Sequence, residues 1–227
     1  MVSSATDCYQ PAELRFGLTK KCVQVLQNYN VPYYVFTKSA LIERDLELHS
    51  RYRENCFIVW SITTANEKVR RVLEPGTPPA SKLFATMKKF VGAGVRCGVN
   101  VDPIIPLVTD SESEIESIVT SCKHAGVERV FGSVMRLRSD IWERMKVVFL
   151  LLEVPDTLTG YKEIYGFDEP IGPAYLSANR KYSDRVLLIL ESKLSKYEIQ
   201  GGFPDFLGET ILNRAHSGQS VLTNYIA

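Results

Sequence analysis

Apolar residues fall in short, nearly continuous runs that alternate with longer amphipathic stretches. The clearest run, 57–60, reads Phe-Ile-Val-Trp and turns polar at Ser61. A run without alternation predicts a strand that is buried on both faces. Asn66 then offers a helix N-cap, and apolar residues at helical spacing follow until Pro75 stops the pattern. The segment is therefore predicted as a strand, a short polar turn and a helix.

The same unit recurs along the chain. Apolar runs predict four strands, over about residues 33–37, 57–62, 95–101 and 128–135. Amphipathic stretches predict helices over about 12–28, 39–54, 66–74, 80–93, 111–125 and 182–197, with one more that ends near 152. Alternating strands and helices favour parallel pairing through right-handed crossovers, which puts the carboxyl ends of the strands on one side. The predicted fold class is α/β, an open and mostly parallel sheet with helices on its outer face.

Three stretches carry more specific predictions. The first helix is expected to bury one face, made of Leu14, Leu18, Cys22, Val25 and Leu26. Pro103 and Pro106 are expected to end the third strand in an extended loop, because proline cannot donate to a strand ladder. Residues 155–173 are rich in Gly, Pro and Tyr and are expected to be irregular. We therefore divide the chain into a barrel-like domain, 1–152, and a segment, 153–227, whose last helix packs on that domain.

The charge of the chain is nearly balanced. Its 227 residues include 27 basic and 26 acidic side chains, a formal net charge of +1. A balanced chain creates no general attraction for nucleic acid, so nucleic-acid binding would need a local basic patch. The candidates are Lys68, Arg70, Arg71, Lys88 and Lys89 on predicted outer helix faces. Charge clusters at such places are most often simply solvated.

The N-terminal residues and the lengths of the apolar runs predict neither a signal peptide nor a membrane-spanning helix. The first residues lack the basic region and apolar core of a signal peptide. No run approaches the roughly 18 apolar residues that a membrane helix needs. We expect a soluble cytoplasmic protein with no membrane partner.

Five cysteines are spread widely along the chain, at positions 8, 22, 56, 97 and 122. They form no CxxC or CxxxCxxC motif, so the usual local spacings of zinc and iron–sulfur sites are excluded. Cys56 and Cys97 lie within predicted strands and are interpreted as small apolar residues.

Short motifs at the predicted strand ends occur in a fixed order. They are Thr6-Asp7-Cys8-Tyr9-Gln10-Pro11-Ala12-Glu13, Thr37-Lys38-Ser39 with Arg44-Asp45, Ser61-Ile62-Thr63-Thr64, Glu74-Pro75 with Pro78, Gly94, and Pro103-Ile104-Ile105-Pro106 with Thr109-Asp110. This set, which spans residues 6 to about 137, resembles the radical S-adenosylmethionine (SAM) superfamily, and within it the spore photoproduct lyase-like branch often called DNA repair photolyases. The resemblance implies a partial (β/α) barrel, similar to a TIM barrel, that binds SAM across its strand ends.

The resemblance also implies roles for five side chains. Glu13 would meet the amino group of the methionine moiety of SAM, while Lys38 and Ser61 would hold its carboxylate. Thr63 and Arg136 would lie on neighbouring strand ends. An ammonium, a hydroxyl and a carboxylate around a zwitterion form complementary charge-assisted hydrogen bonds. Taken singly, each residue also has an ordinary role, as a solvated lysine, a cap or a first-turn acid.

One feature of the family is missing from the sequence. Radical SAM proteins hold a [4Fe–4S] cluster through a CxxxCxxC loop after their first strand, and this chain has no such motif. Cys8 stands where the family more usually has proline, and Gly76 where it tends to have a basic residue. We therefore expect a truncated or split chain that is inactive alone, with a separate chain supplying the first strand and the cluster.

Two other functions stay open. The chain could be a non-catalytic remnant that serves as a nucleoside-binding or protein-interaction module. It could also be a complete enzyme that uses acid–base chemistry at the strand ends, with Asp102, Lys38 and Glu13 as candidates. Histidine is not expected there, because His49 and His124 fall in predicted helices and His216 in the tail. No residue is assigned as catalytic or as a metal ligand.

Overall fold

A five-stranded parallel sheet organises the computed structural model, which describes residues 1–2, 6–154, 156–168 and 170–203. The strands are β1 (Tyr33–Thr37), β2 (Cys56–Ser61), β3 (Arg96–Ile104), β4 (Arg129–Val134) and β5 (Gln200–Gly201). They pair in chain order and every pair is parallel. Sequential parallel strands joined by helices are the pattern of a (β/α) barrel, here an open one. The predicted α/β fold class and the four predicted strands are confirmed.

The helices lie between the strands along the chain. They are α1 (Ala12–Phe16), α2 (Leu18–Asn28), α3 (Leu46–Ser50), α4 (Glu67–Leu73), α5 (Ala80–Gly92), α6 (Glu112–Ala125), α7 (Ser139–Leu151), α8 (Thr157–Tyr165) and α9 (Arg180–Lys196). Asn66 caps α4 by accepting from the backbone N–H groups of Lys68 and Val69, and Ser111 caps α6 in the same way. None of the described helices is long and apolar enough to cross a membrane.

The two faces of the sheet bury different sets of side chains. The outer face packs against the helices, and its fully buried residues include Val35, Ile58, Trp60, Val99 and Val130. The inner face carries a smaller group of four aromatic residues and one valine, made of Tyr34, Phe36, Phe57, Val59 and Phe131. Because side chains alternate along a strand, β1, β2 and β4 contribute to both sets. The buried cysteines Cys56 and Cys97 belong to the outer core, as predicted.

The first predicted helix is wrong in two respects. It breaks at Gly17, whose φ of 58° is left-handed and ends α1 before α2 begins. Leu14, Leu18 and Val25 are exposed, and α2 instead buries Thr19 and Val23. Because the left-handed residue interrupts the helical periodicity, an apolar stripe drawn through both helices does not face the core.

Two further stretches differ from the prediction: residues 39–54 are less regular than expected, and β3 is longer. The segment expected as one helix over 39–54 contains two 3₁₀-helices, Leu41–Asp45 and Arg53–Asn55, with only α3 between them. Conversely, β3 does not end before Pro103. It runs to Ile104 across a register shift after Val101, and the Asp102–Pro103 peptide bond is cis. A bulge is one of the few places at which a sheet tolerates proline.

The segment expected to be irregular contains helix α8. Its residues Tyr161 and Tyr165 pack with Trp142 and Phe149 of α7 in a second buried cluster beside the sheet. The rings of Tyr161 and Trp142 are stacked, with centroids 5.8 Å apart. Burial of these aromatic side chains therefore outweighs the glycines and prolines that signalled a loop.

The end of the described chain adds to the sheet. Helix α9, predicted over 182–197, packs on α6 and β4, and β5 then pairs with β4 through Gln200 and Gly201. The short tail was not predicted to contain a strand. The division of the chain at residue 152 stays a prediction, and Pro204 and His216 lie outside the described residues.

Candidate functional site

The carboxyl ends of three adjacent strands bring three polar side chains into one row. Ser61 of β2 is in register with Asn100 of β3, which is in register with Phe131 of β4. Lys38 follows directly after the last residue of β1. Lys38, Ser61 and Asn100 all line an open cavity of about 690 Å³, together with Asp102 and Phe36. We call it the strand-end cavity.

Lys38 reaches this cavity already paired with an acid. Its Nζ donates to Glu74 Oε1 at 2.6 Å, and the hydroxyl of Thr63 donates to the same oxygen at 3.1 Å. The other oxygen of Glu74 forms an ion pair with Nη1 of the buried Arg70 at 2.8 Å, although the angles fall outside those of a hydrogen bond. Thr63 therefore contacts Glu74 and does not line the cavity.

The position of Lys38 is fixed from the other side by Asp7. One carboxylate oxygen of Asp7 accepts from the backbone N–H of Tyr9 and the hydroxyl of Thr37, both at 2.8 Å. The other oxygen accepts from the backbone N–H of Lys38 at 2.6 Å. The Thr-Asp motif before α1 therefore holds the end of β1 in place.

Ser61 and Asn100 leave polar groups available in the strand-end cavity. Neither the hydroxyl of Ser61 nor the amide of Asn100 has a hydrogen-bond partner within the part of the chain that the structure describes. Asp102, by contrast, accepts a hydrogen bond from Ser133 of β4. Sequence reasoning missed Asn100, although its alternation with Gly98 and Asp102 along β3 places all three on the inner face.

Glu13 lies outside the strand-end cavity, close to the start of α2. Its carboxylate accepts from the backbone N–H groups of Thr19 at 2.9 Å and Lys20 at 3.3 Å, and from Arg44 Nη2 at 2.9 Å. Burial alone would raise the pKa of Glu13, but these hydrogen bonds outweigh it and hold the pKa below its usual range. These three hydrogen bonds use most of the acceptor sites of the Glu13 carboxylate, and the residue is only 4% exposed, so it offers little to a ligand amino group.

Arg136 follows β4 at the same end of the sheet but is also outside the cavity. Its guanidinium lies over the ring of Tyr175, 4.8 Å from the centroid, and Arg138 lies 5.0 Å from the same centroid. Of the five predicted site residues, the structure therefore brings Lys38 and Ser61 into one cavity. Thr63 lies outside the cavity and shares the partner Glu74 with Lys38, while Glu13 and Arg136 lie outside the cavity without contacting Glu74.

A buried polar network surrounds the imidazole of His49 and includes Tyr9, which lies just before α1. Nε2 of His49 is 3.1 Å from the hydroxyl of Tyr9, and Nδ1 is 3.1 Å from that of Tyr33. Tyr9 donates to Asp45, while Tyr33 accepts from Gln27. This pattern assigns the proton of a neutral His49 to Nε2. Burial lowers the pKa of His49 to about 4.

The described residues do not fit an iron–sulfur cluster. Cys56, Cys97 and Cys122 are buried, and burial raises the pKa of each thiol, that of Cys56 to about 12. A cluster needs thiolates, which this environment disfavours. Among the described residues there is also no group of three or more His, Cys, Asp or Glu side chains that could hold a metal ion.

The basic residues proposed for a nucleic-acid patch are only partly available. Arg70 is buried and donates to the carbonyl oxygen of Pro78 and the hydroxyl of Thr77, besides its ion pair with Glu74. Lys89 is paired with Glu43. Nucleic-acid binding through these helix faces stays a prediction.

Comparison with known proteins gives uncharacterized relatives. No protein-family profile matches the chain. An uncharacterized protein of Acidianus two-tailed virus is 29% identical over 158 residues, which cover 65% of this chain and 52% of that protein. An uncharacterized protein of Mycobacterium tuberculosis is 27% identical over 200 residues, 86% of this chain and 56% of that protein. The chain thus spans about half the length of the curated relatives it matches.

Comparison with solved structures shows which proteins have a similar fold. A mutant spore photoproduct lyase with dinucleoside spore photoproduct matches with a TM-score of 0.62 and 15% identity, covering 88% of this chain and 58% of the lyase. SuiB of Streptococcus suis bound to SAM matches with a TM-score of 0.52 and 12% identity, covering 82% of this chain and 36% of SuiB. The radical SAM methyltransferase TsrM of Kitasatospora setae also gives 0.52 and 12%, covering 86% and 44%. The matches bear on the fold, and they confirm that this chain has the partial (β/α) barrel fold of the radical SAM enzymes.

Proposed function

We propose that this chain binds SAM in the strand-end cavity and is part of a radical SAM protein of the spore photoproduct lyase-like branch. The observation that carries the proposal is the row of Lys38, Ser61 and Asn100 on consecutive strands, all lining one cavity. The carboxyl ends of parallel barrel strands are where such folds place their active sites. The shared fold and the ordered motifs support the same assignment.

The residues of the cavity suit the methionine moiety of SAM. The ammonium of Lys38 would bind the ligand carboxylate, and the hydroxyl of Ser61 would donate to it. The amide of Asn100 can both donate and accept, so it can bind a second polar group of the ligand. Glu74 keeps Lys38 in place without entering the cavity.

We propose further that the cluster ligands come from polypeptide outside these 227 residues, either a segment of the same protein or a separate chain. When bound, the cluster would supply the electron for reductive cleavage of SAM. The present residues would bind and orient the cosubstrate, and we expect them to be inactive in cleavage when tested alone. A separate chain that carries the cluster, and nucleic acid as a further partner, are likewise proposals.

One observation favours a second candidate, a non-catalytic nucleoside-binding or interaction module. The strand-end cavity is formed by the described residues, while the described cysteines offer no cluster site. Such a module would bind a nucleoside without ever carrying a cluster.

Calorimetry with SAM tests the proposal on the wild-type chain and on Lys38→Ala. A few charge-assisted hydrogen bonds, each contributing about 1.5–3 kcal/mol, leave a Kd in about the high-micromolar to millimolar range after the cost of association. Loss of the ammonium should weaken binding at least about tenfold. Lys88→Ala, at an exposed position on α5, is the matched control and should bind as the wild type does.

Two results would count against the proposal. Equal SAM affinities for wild type and Lys38→Ala would make Lys38 a bystander. No heat and no competition in either protein would remove SAM as the ligand of this cavity.

A further inference from the structure

The inner face of the sheet contains a shallow slot directly below the Lys38–Ser61–Asn100 row. Phe36, Val59, Gly98 and Arg129 are in register across β1 to β4. The two middle positions, Val59 and Gly98, carry no aromatic ring. The ring of Phe57 packs beside Gly98, where a Cβ would lie 2.8 Å from its Cε1. Aromatic rings stand on both sides of these positions: Tyr34 and Phe36 on β1, and Phe131 on β4, which is in register with Asn100. We call this feature the aromatic slot.

A ring from the end of the described chain occupies the aromatic slot. The centroid of Phe203 is 5.4 Å from that of Tyr34 and 5.3 Å from that of Phe131, which it meets edge to face. Its plane is within 6° of the plane of Phe36, with the centroids 6.2 Å apart. These are ordinary geometries for favourable aromatic pairs. Yet the side chain is still 54% exposed, so it is held by its edges and one face.

We propose that the aromatic slot is a binding subsite for a planar heteroaromatic ring, such as the base of a nucleoside, and that Phe203 is its resident, displaceable occupant. A ligand ring in the place of Phe203 would keep the stacking with Phe36 and the edge contact with Phe131. It would also gain hydrogen bonds at its rim, because the polar groups of Ser61 and Asn100, which have no partner among the described residues, lie in the next row of the same face. The phenyl ring of Phe203 can form no such hydrogen bonds.

This inference deepens the proposed function, since it names the part of the cavity that takes the ring of a ligand. It rests on the same cavity, but not on Lys38 and not on the methionine moiety. Adenosine is therefore a suitable probe, because it has the ring and lacks the carboxylate. Binding of adenosine and binding of SAM through Lys38 can succeed or fail separately.

The test compares adenosine affinity in the wild type and in Phe203→Ala by calorimetry. In the wild type, adenosine must first displace Phe203 from its aromatic contacts. Phe203→Ala has no such contacts to lose, so adenosine should bind it about tenfold more tightly. Phe16→Ala is the matched control, because Phe16 is 52% exposed on α1, away from the cavity. Its adenosine affinity should equal that of the wild type.

A second measurement reports on the ring itself. With 4-fluorophenylalanine incorporated at position 203, saturating adenosine should shift the ¹⁹F resonance, because the ring leaves the contacts of Phe36 and Phe131. An affinity that stays unchanged in Phe203→Ala would overturn the proposal. So would a weaker affinity, since Phe203 would then be a wall that supports the ligand. Absence of adenosine binding in both proteins would overturn it as well, even if SAM binds through Lys38.

Discussion

The ammonium of Lys38 and the carboxylate of Glu74 are 2.6 Å apart, although 36 residues separate them along the chain. Glu74 is only 11% exposed and also faces the buried guanidinium of Arg70. One carboxylate therefore forms ion pairs both with Lys38 in the cavity and with Arg70 in the core. Lys38 itself is 35% exposed. The pair therefore links the strand-end cavity to the packed loop after α4.

The two partners of this pair should differ in their effect on stability. Glu74→Gln leaves the buried Arg70 without a counter-charge and should lower the free energy of unfolding by about 3 kcal/mol. Lys38→Ala leaves Glu74 with Arg70 and removes a half-exposed ion pair, so it should cost less than about 1 kcal/mol. Urea unfolding of both variants measures the difference. Equal losses would mean that Arg70 is held by Pro78 and Thr77 alone.

Stability should fall on mild acidification because of His49. Its pKa is about 4 in the folded protein and about 6.5 in the unfolded chain, so the unfolded state takes up the proton first. The contribution is fully present above pH 6.5 and is lost as the pH falls towards 4. Between pH 7 and pH 5 the loss should be about 2 kcal/mol.

The measurement is urea unfolding at several pH values. His49→Gln should be less stable at pH 7, because the hydrogen bonds to Tyr9 and Tyr33 change, but it should show a flatter slope over that range. His124→Gln, exposed on α6, should keep the wild-type slope. A wild-type slope in His49→Gln would assign the pH dependence to other groups.

Two tyrosines of the second core should respond oppositely to loss of the hydroxyl. The hydroxyl of Tyr161 is buried and has no hydrogen-bond partner among the described residues, whereas that of Tyr165 donates to the carbonyl oxygen of Met135 at 2.6 Å. Tyr161→Phe should raise the free energy of unfolding by about 1 kcal/mol, and Tyr165→Phe should lower it by about 1 kcal/mol. Thermal unfolding decides the signs, and a clear loss in Tyr161→Phe would reveal an undetected partner.

Anaerobic reconstitution with iron and sulfide should leave the purified chain without a cluster. The reason is the missing ligand spacing together with burial of the three cysteines of the core, which keeps them as thiols. Iron analysis and visible absorbance measure the outcome. About four irons per chain with a broad visible band would contradict this expectation.

The strands and most helices were predictable because their signals are local. The run ending at Ser61 is apolar on both faces, and Asn66 and Ser111 are caps whose geometry follows from one or two side chains. The errors arose where the deciding contact is distant. Gly17 separates two helices that share no stripe, and α8 exists because its tyrosines meet α7.

The same distinction applies to the site. That Lys38 and Ser61 lie close together was predictable, because strand ends converge in any parallel sheet. Their role in binding SAM stays a prediction. The partners of Glu13 could not be found, since Arg44 is 31 residues away and the backbone of α2 approaches only because Gly17 turns the chain. Asn100 was within reach, because strand alternation from Gly98 would have placed it on the inner face.

Asp7 gives the site a mechanical connection to the segment before α1. Its carboxylate holds the backbone of Lys38 and the hydroxyl of Thr37, while Val2 pairs with Val35 on the same strand. A displacement of the backbone at Asp7 would therefore move the backbone of Lys38 directly, without any rotamer change in the cavity. A polypeptide that docks on that edge of β1 would therefore shift the backbone of Lys38, whose side chain lines the strand-end cavity.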